Sequence, residues 1–247
     1  MVQTMVQNYD ARWARFHTSI FNLFLESRCA LCERSSCEDF CPDCQRQIQQ
    51  CQISDRDRFW HEPLPVFPWG TYSGALKRAI AALKYQQHPQ LARPLGNWLG
   101  QAWLASSLSR HRSAVVVPIP MHKIKQQQRG YNQADLLARA FCHATRLPLN
   151  SQGLIRTRTT DAQFGLSPDE REQNLAHAFQ LGSAWMRRLP QHPVLLLDDI
   201  YTTGATTRAA VQVLQHHGIE VCGLVALARP VYSRDERARQ THHQHDI

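Results

Sequence analysis

Two carboxylic acids, Asp198 and Asp199, follow directly on the apolar run VLLL and precede a hydroxyl-rich turn, YTTGATT. A short apolar run bounded by turn residues reads as a buried strand of a parallel sheet, and ligands of such sheets sit beyond the C-terminal strand ends. A helix is expected to open near Gly204 or Ala205. Its free backbone N–H groups, with the hydroxyls of Thr202, Thr203, Thr206 and Thr207, make an anion pocket. Gly204 lets the backbone approach a phosphate closely. The carboxylates would repel a phosphate but suit a polyol beside it, because each accepts hydrogen bonds from hydroxyl groups. The chemistry implied is binding of a sugar hydroxyl pair and its 5′-phosphate. A single Thr-capped helix needs one hydroxyl, so paired acids and four threonines exceed what a cap requires. The sequence holds no GxxxxGK[ST] and no GxGxxG, which argues against P-loop and dinucleotide binding.

A second cluster is Cys29-x-x-Cys32 and Cys41-x-x-Cys44, two knuckles separated by eight residues. Each C-x-x-C pair brings two thiolates onto one tetrahedral ion, and two pairs complete the site. With four cysteine ligands no position is left for a reactive water, so the expected role of a zinc ion is structural rather than catalytic. The rival is disulfide pairing, which a reducing compartment disfavours. A redox C-x-x-C would follow a strand, and no strand pattern precedes Cys29. Cys37 and Cys51 are spare thiols able to stand in as ligands, and Cys142 and Cys222 read as core residues.

The elements that must position these groups follow from periodicity. Trp13, Phe16, Ile20, Leu23 and Phe24 have helical spacing, predicting an amphipathic helix in residues 1–28. Residues 29–55 are a cysteine-rich module, and the proline-rich stretch HEPLPVFPWG reads as a link. Residues 66–230 are mixed α/β. Helices are predicted through GALKRAIAALKYQ, from Leu91 to Trp103 and through NQADLLARAFCHA. Gly96 and Gly100 in the second of these read as close packing. Strands are predicted at SAVVVPIP, PVLLLDD and IEVCGLVALAR, with a helix ending near Gly218 between the last two. Alternating strands and helices give a parallel sheet with helical crossovers. Residues 231–247 read as a polar tail.

Length and composition set the frame. The 247 residues are 43% hydrophobic and 19% charged, an ordinary globular mix. A formal net charge of +8 permits an anionic partner without showing one. No stretch reaches the ~18 consecutive apolar residues of a membrane helix, and the apolar piece IFNLFL lacks a small-residue cleavage site. A cytoplasmic protein without membrane insertion is expected.

Residues 194–207 resemble the phosphoribosyl-pyrophosphate (PRPP) motif of type I phosphoribosyltransferases: four apolar residues, two acids, two further residues, then Thr-Thr-Gly-x-Thr. More narrowly, the chain resembles the ComF/GntX family of competence-related proteins. The resemblance rests on the four-cysteine module, TYSGALKRAIAALKY, VPIPMHKIKQQQRGYNQADLLA, RTRTTDAQFGLSPDEREQNLAHAF and the PRPP loop. Tyr201 departs from the general transferase pattern, in which an aliphatic residue is commoner.

The resemblance implies a type I phosphoribosyltransferase-like parallel sheet flanked by helices, with a small zinc-ribbon-like N-terminal module. It implies that residues 202–207, Ala205 included, hold PRPP beside Asp198 and Asp199. Pro118, Ile119 and Pro120 would form the pyrophosphate loop, with Arg129, and with Lys123 and Lys125 on a basic segment. The segment from Arg156 to Phe179 would be a lid carrying Gln163, Arg171 and Asn174, excluding water from an oxocarbenium-like transfer. Gly130 and Asn132 also have a structural reading, as a turn and a helix cap. Mg²⁺ would accompany PRPP, bridging its oxygens. Pentosyl transfer is the implied reaction, and the family role lies in DNA uptake or use. A second reading keeps the fold without the chemistry, as an adaptor contacting single-stranded DNA or competence proteins. Fold alone does not separate the two.

Overall fold

The computed structural model describes residues 28–61, 64–110, 113–157 and 178–230. The expected N-terminal helix, the lid residues Gln163, Arg171 and Asn174 and the polar tail lie outside the described residues. The chain divides into two compact units, Met1–Arg46 and Gln47–Ile247. In the first, the Cys29–Cys32 knuckle precedes helix α1 (Pro42–Gln49), the Cys41–Cys44 knuckle runs into its first turn, and the division falls within that helix.

The second unit is built on a four-stranded sheet of β1 (Val66–Thr71), β2 (Val115–Pro118), β5 (Val194–Ile200) and β6 (Val221–Arg229). The strand order is β1-β6-β5-β2 and every pairing is parallel. Helices α2 (Gly74–Tyr85), α3 (Ala92–Leu104), α4 (Lys123–Arg129), α5 (Gln133–Thr145) and α7 (Ala205–His216) make the crossovers. A second, two-stranded antiparallel sheet pairs β3 (Leu154–Arg156) with β4 (Phe179–Leu181), followed by the short α6 (Ser183–Arg187). The parallel sheet flanked by helices is the architecture expected from the alternating pattern.

The stretch read as a proline-rich link contains β1, a correction with a clear cause. Its Val66, Phe67 and Trp69 are fully buried, but Pro68 sits among them and masks the strand signal. β1 is the edge strand of the four-stranded sheet, met on its outer side by isolated hydrogen bonds with residues 51–53, and an edge strand tolerates a residue that cannot donate a ladder hydrogen bond. The basic segment after β2 is likewise a helix, α4, whose first turn is capped by the His122 ring accepting from Ile124 N–H at 3.3 Å.

Val194 and Leu196 of β5 belong to one buried cluster with Ala209, Ala210 and Leu214 of α7. Because successive strand residues point to opposite faces, the even-numbered residues of β5 face α7, and Leu195, Leu197 and Asp199 face the other way.

The close approach read from Gly96 and Gly100 is present between α3 and α5. A Cβ at Gly96 would lie 2.6 Å from both Ala140 Cβ and the Leu137 carbonyl oxygen, and one at Gly100 would lie 2.7 Å from Ala144 Cβ. Alanine gains up to about 1 kcal/mol over glycine in a helix, whereas overpacking costs about 1–3 kcal/mol. At Gly96 the obstacle includes backbone, so the clash wins. Gly96→Ala is expected to lower stability by roughly 1–2 kcal/mol in urea unfolding; a gain would mean that the helices separate without cost.

Candidate functional site

At the C-terminal edge of the sheet, β5 carries the acidic pair just before its last residue, Ile200, and α7 starts after a four-residue turn. Gly204 adopts φ 78°, a left-handed conformation that favours glycine, and directly precedes α7. Its second constraint is Tyr201: a Cβ at residue 204 would lie 2.6 Å from the Tyr201 hydroxyl oxygen. Thr203 supports the turn twice. Its hydroxyl accepts from Ala205 N–H at 3.4 Å, and its carbonyl accepts from the Arg208 guanidinium at 2.8 Å. Thr202 and Thr203 are exposed, Ala205 and Thr206 are half-buried, and Thr207 is only 2% exposed. The four hydroxyls are therefore unequal in access.

The carboxylates are unequal too. Asp199 is 3% exposed, and the Lys84 ammonium, from the last turn of α2, lies 2.6 Å from its Oδ2. Asp198 is half-buried on the α7 face and accepts from Asp199 N–H at 2.8 Å. Burial and the neighbouring Asp199 charge push the Asp198 carboxyl well above the usual range, against the opposing pull of Asp199 N–H and Lys84. Burial alone would pull the Lys84 ammonium down, but Asp199 and then Asp198 outweigh it and the net direction is up.

Beside this edge, the Ile119 N–H donates to Leu197 O at 2.8 Å, so Pro118, Ile119 and Pro120 run along the end of β5. Asn132 caps α5 through Ala134 N–H and also donates to Ile119 O, both at 3.1 Å. Tyr131 donates its hydroxyl to Leu83 O at 2.6 Å. Arg129 donates to Gln133 and lies 5.4 Å over the Tyr85 ring, while Lys123 and Lys125 are exposed on α4. The RGYNQ segment thus joins the end of α2 to the Pro118–Pro120 loop.

Sequence reasoning missed Lys84. A signal existed: Lys84 stands four residues after the buried Ile80, in phase with the apolar stripe of its helix. Tyr201, noted only as a departure, lies across Gly204, with the Arg229 guanidinium 5.4 Å from its ring.

In the N-terminal unit, the sulfurs of Cys29, Cys32, Cys41 and Cys44 all lie within 4.8 Å of one another. Cys32 and Cys41 sulfurs are 3.5 Å apart. A tetrahedral ion with Zn–S bonds near 2.3 Å sets its sulfurs about 3.8 Å apart, so the four cysteines could hold a zinc ion. Burial pushes the Cys29 thiol up, but N–H groups of Cys41, Leu31 and Cys32 outweigh it and bring it down to about 6. Burial and three neighbouring sulfurs push Cys44 up, a crowding that a dication would relieve. Cys37 is exposed and outside the cluster, and Cys51 donates instead to Gln47 O and Ser73 O. Cys142 is buried and Cys222 half-buried.

These features define an open parallel α/β protein with its candidate site at the carboxyl edge of the sheet and a four-thiol cluster in a separate unit. Competence protein F of Haemophilus influenzae is 32% identical over 163 residues, covering 65% of this chain and 70% of that protein. DNA utilization protein YhgH of Escherichia coli K12 is 26% identical over 81% of this chain and 89% of that protein. Competence protein ComFC of Bacillus subtilis is 25% identical over 77% and 72%. The chain belongs to the ComF family. No family model matches it.

Among solved structures, the B. subtilis glutamine PRPP amidotransferase matches with 19% identity and a TM-score of 0.41, covering 62% of this chain and 31% of that one. Adenine phosphoribosyltransferase of Leishmania donovani matches with 14% identity and a TM-score of 0.39, over 75% and 80%. Among the described residues no helix is long and apolar enough to cross a membrane.

Proposed function

We propose that this ComF-family protein binds PRPP at the carboxyl edge of its sheet and serves in the uptake or use of DNA. One observation carries the ligand assignment: Asp198 shares the α7 face with a turn whose glycine, at φ 78°, opens that helix amid threonine hydroxyls. The start of a twelve-residue helix offers N–H groups to a 5′-phosphate, and a carboxylate on the same face accepts from ribose hydroxyls. The hydrogen bond of Ile119 N–H to Leu197 O sets the Pro118–Pro120 backbone beside the same strand end, which supports its assignment to the pyrophosphate side of the ligand. Mg²⁺ would arrive with PRPP and take few protein ligands. The DNA role is supported by the relatives' names. The four cysteines of the N-terminal unit are assigned to a structural zinc ion, on the fit of their sulfur spacing.

Titration calorimetry with Mg²⁺–PRPP tests the reading. The wild-type protein is expected to bind, and Asp198→Asn to weaken binding about 10- to 100-fold, the loss of a charged hydrogen bond at about 1.5–3 kcal/mol. A folded wild-type protein that gives no heat with Mg²⁺–PRPP removes the ligand from the assignment.

A further inference from the structure

Lys84 stands outside the motif that the acidic pair belongs to, yet it makes the shortest charged contact at the site. It comes from α2, and its ammonium reaches Asp199 Oδ2 at 2.6 Å with both side chains largely buried. The end of α2 is itself fastened. Tyr131 donates to Leu83 O, one residue before Lys84, and Arg129 covers Tyr85, one residue after it. Both fastenings come from the segment that also donates to Ile119 O through Asn132. A single short stretch of chain therefore fixes the pyrophosphate-side loop and the base of the lysine together.

The alternation of β5 gives this pairing a consequence. Asp199 points to the face opposite α7, while Asp198 points to the α7 face, where the Gly204 turn lies. The two carboxylates also differ in access: Asp199 is buried against the Lys84 ammonium, whereas Asp198 is half-buried and carries no ion pair among the described residues. Lys84 decides which one is committed to the interior.

We propose that Lys84 is a positioning residue, which holds Asp199 inside the helix-covered face and leaves Asp198 as the carboxylate that meets the ribose hydroxyls. This rests on the PRPP reading and divides the roles within its site. Lys84 also sets the charge state of Asp198. The titratable and charged groups around the pair are Lys84 and Tyr85 of α2, with Arg129 of α4 over Tyr85, and the two aspartates of β5. Burial and Asp199 favour the protonated Asp198, and Lys84 opposes them. Without Lys84, the acid limb of ligand binding moves to higher pH. The ligand's own phosphate titration is common to all variants and cancels in the comparison.

The test is Mg²⁺–PRPP calorimetry across pH 5 to 8 on wild type, Asp198→Asn, Lys84→Met and Lys84→Met/Asp199→Leu, each checked for folding by thermal melt. Asp198→Asn is expected to lose about 10- to 100-fold in affinity. The double variant, which removes the ion pair as a unit, should stay within about threefold of wild type, one charged hydrogen bond being worth more than that. Lys84→Met, where folded, should show its acid limb at higher pH; where it does not fold, the double variant carries the decision. A carboxyl-carbon NMR titration of the wild type needs no variant: Asp198 should move on saturation and Asp199 should not. Loss of binding in a folded double variant puts Lys84 or Asp199 on the ligand, movement of the Asp199 signal alone puts Asp199 there, and either result overturns the assignment while sparing the PRPP reading. Wild type without binding overturns both.

Discussion

Stripping zinc from the protein with a chelator is expected to unfold residues 28–46 and leave the parallel sheet folded. The described part of this unit is short, and its buried side chains are only Cys29, Cys41 and Cys44, packed with the partly buried Leu31, and Phe40. So small a cluster cannot offset the conformational entropy of ordering the chain, which is about 1–2 kcal/mol per residue for the backbone. A structural zinc site contributes on the order of 10–16 kcal/mol in isolated finger peptides at neutral pH. The sheet unit has its own core in β5, β6 and α7, and needs no metal to bury it. Elemental analysis should find one zinc per chain, and Cys44→Ser should release it. Hydrogen exchange read by mass spectrometry should show residues 28–46 at unstructured rates after chelation, with β5 and β6 still protected. Unchanged protection of residues 28–46 in the metal-free protein would show that the cluster folds by other means.

The sequence showed this cluster because metal sites are written as spacing: four ligands of one type at short, fixed intervals. The acid–threonine edge was legible for a similar reason, since strand, turn and helix start are contiguous. What stayed hidden came from elsewhere in the chain. Lys84 lies more than a hundred residues before Asp199, and only the packing of α2 brings them together. β1 was obscured by Pro68, a residue whose cost depends on whether the strand is at an edge, which is a property of sheet order. The inequality of Asp198 and Asp199 was available in principle from the period of two, but only once the strand was known to run as far as Ile200. The β3–β4 pair, three residues a side, carries too few positions for alternation to show.

The reading of RGYNQ changes in the same way. As sequence, Arg129 suggests a cation for pyrophosphate. In the fold its guanidinium is engaged by Gln133 and Tyr85, and the segment works as a brace. Asn132 serves both its own helix and the loop after β2, since its amide donates to Ile119 O while its Oδ1 accepts from Ala134 N–H. On the proposed PRPP assignment, the backbone dipoles at the start of α7 would supply positive charge that is in place before the ligand arrives.

The ion pair also makes a large stability prediction that does not depend on any ligand. Lys84→Met removes the cation from a carboxylate that is 3% exposed. Breaking a buried pair on one side costs roughly 3–5 kcal/mol, because the remaining charge keeps its desolvation penalty and loses its partner. At about 2–4 °C per kcal/mol for a domain of this size, the melting temperature should fall by roughly 6–20 °C. Lys84→Met/Asp199→Leu removes both charges and is expected to recover most of that loss, as apolar replacement of a whole buried pair is often neutral. The pH dependence has a definite sign. The Lys84 ammonium is raised above its ordinary 10.5, so its contribution is complete below that value and is lost as pH rises through the higher folded value. The gap between wild type and Lys84→Met should therefore persist through neutral pH and close only in strong alkali. Calorimetric melts of the three proteins at pH 7 and well above pH 10.5 measure this, and a double variant no more stable than Lys84→Met would show that Lys84 acts through packing of its methylene stem rather than through its charge.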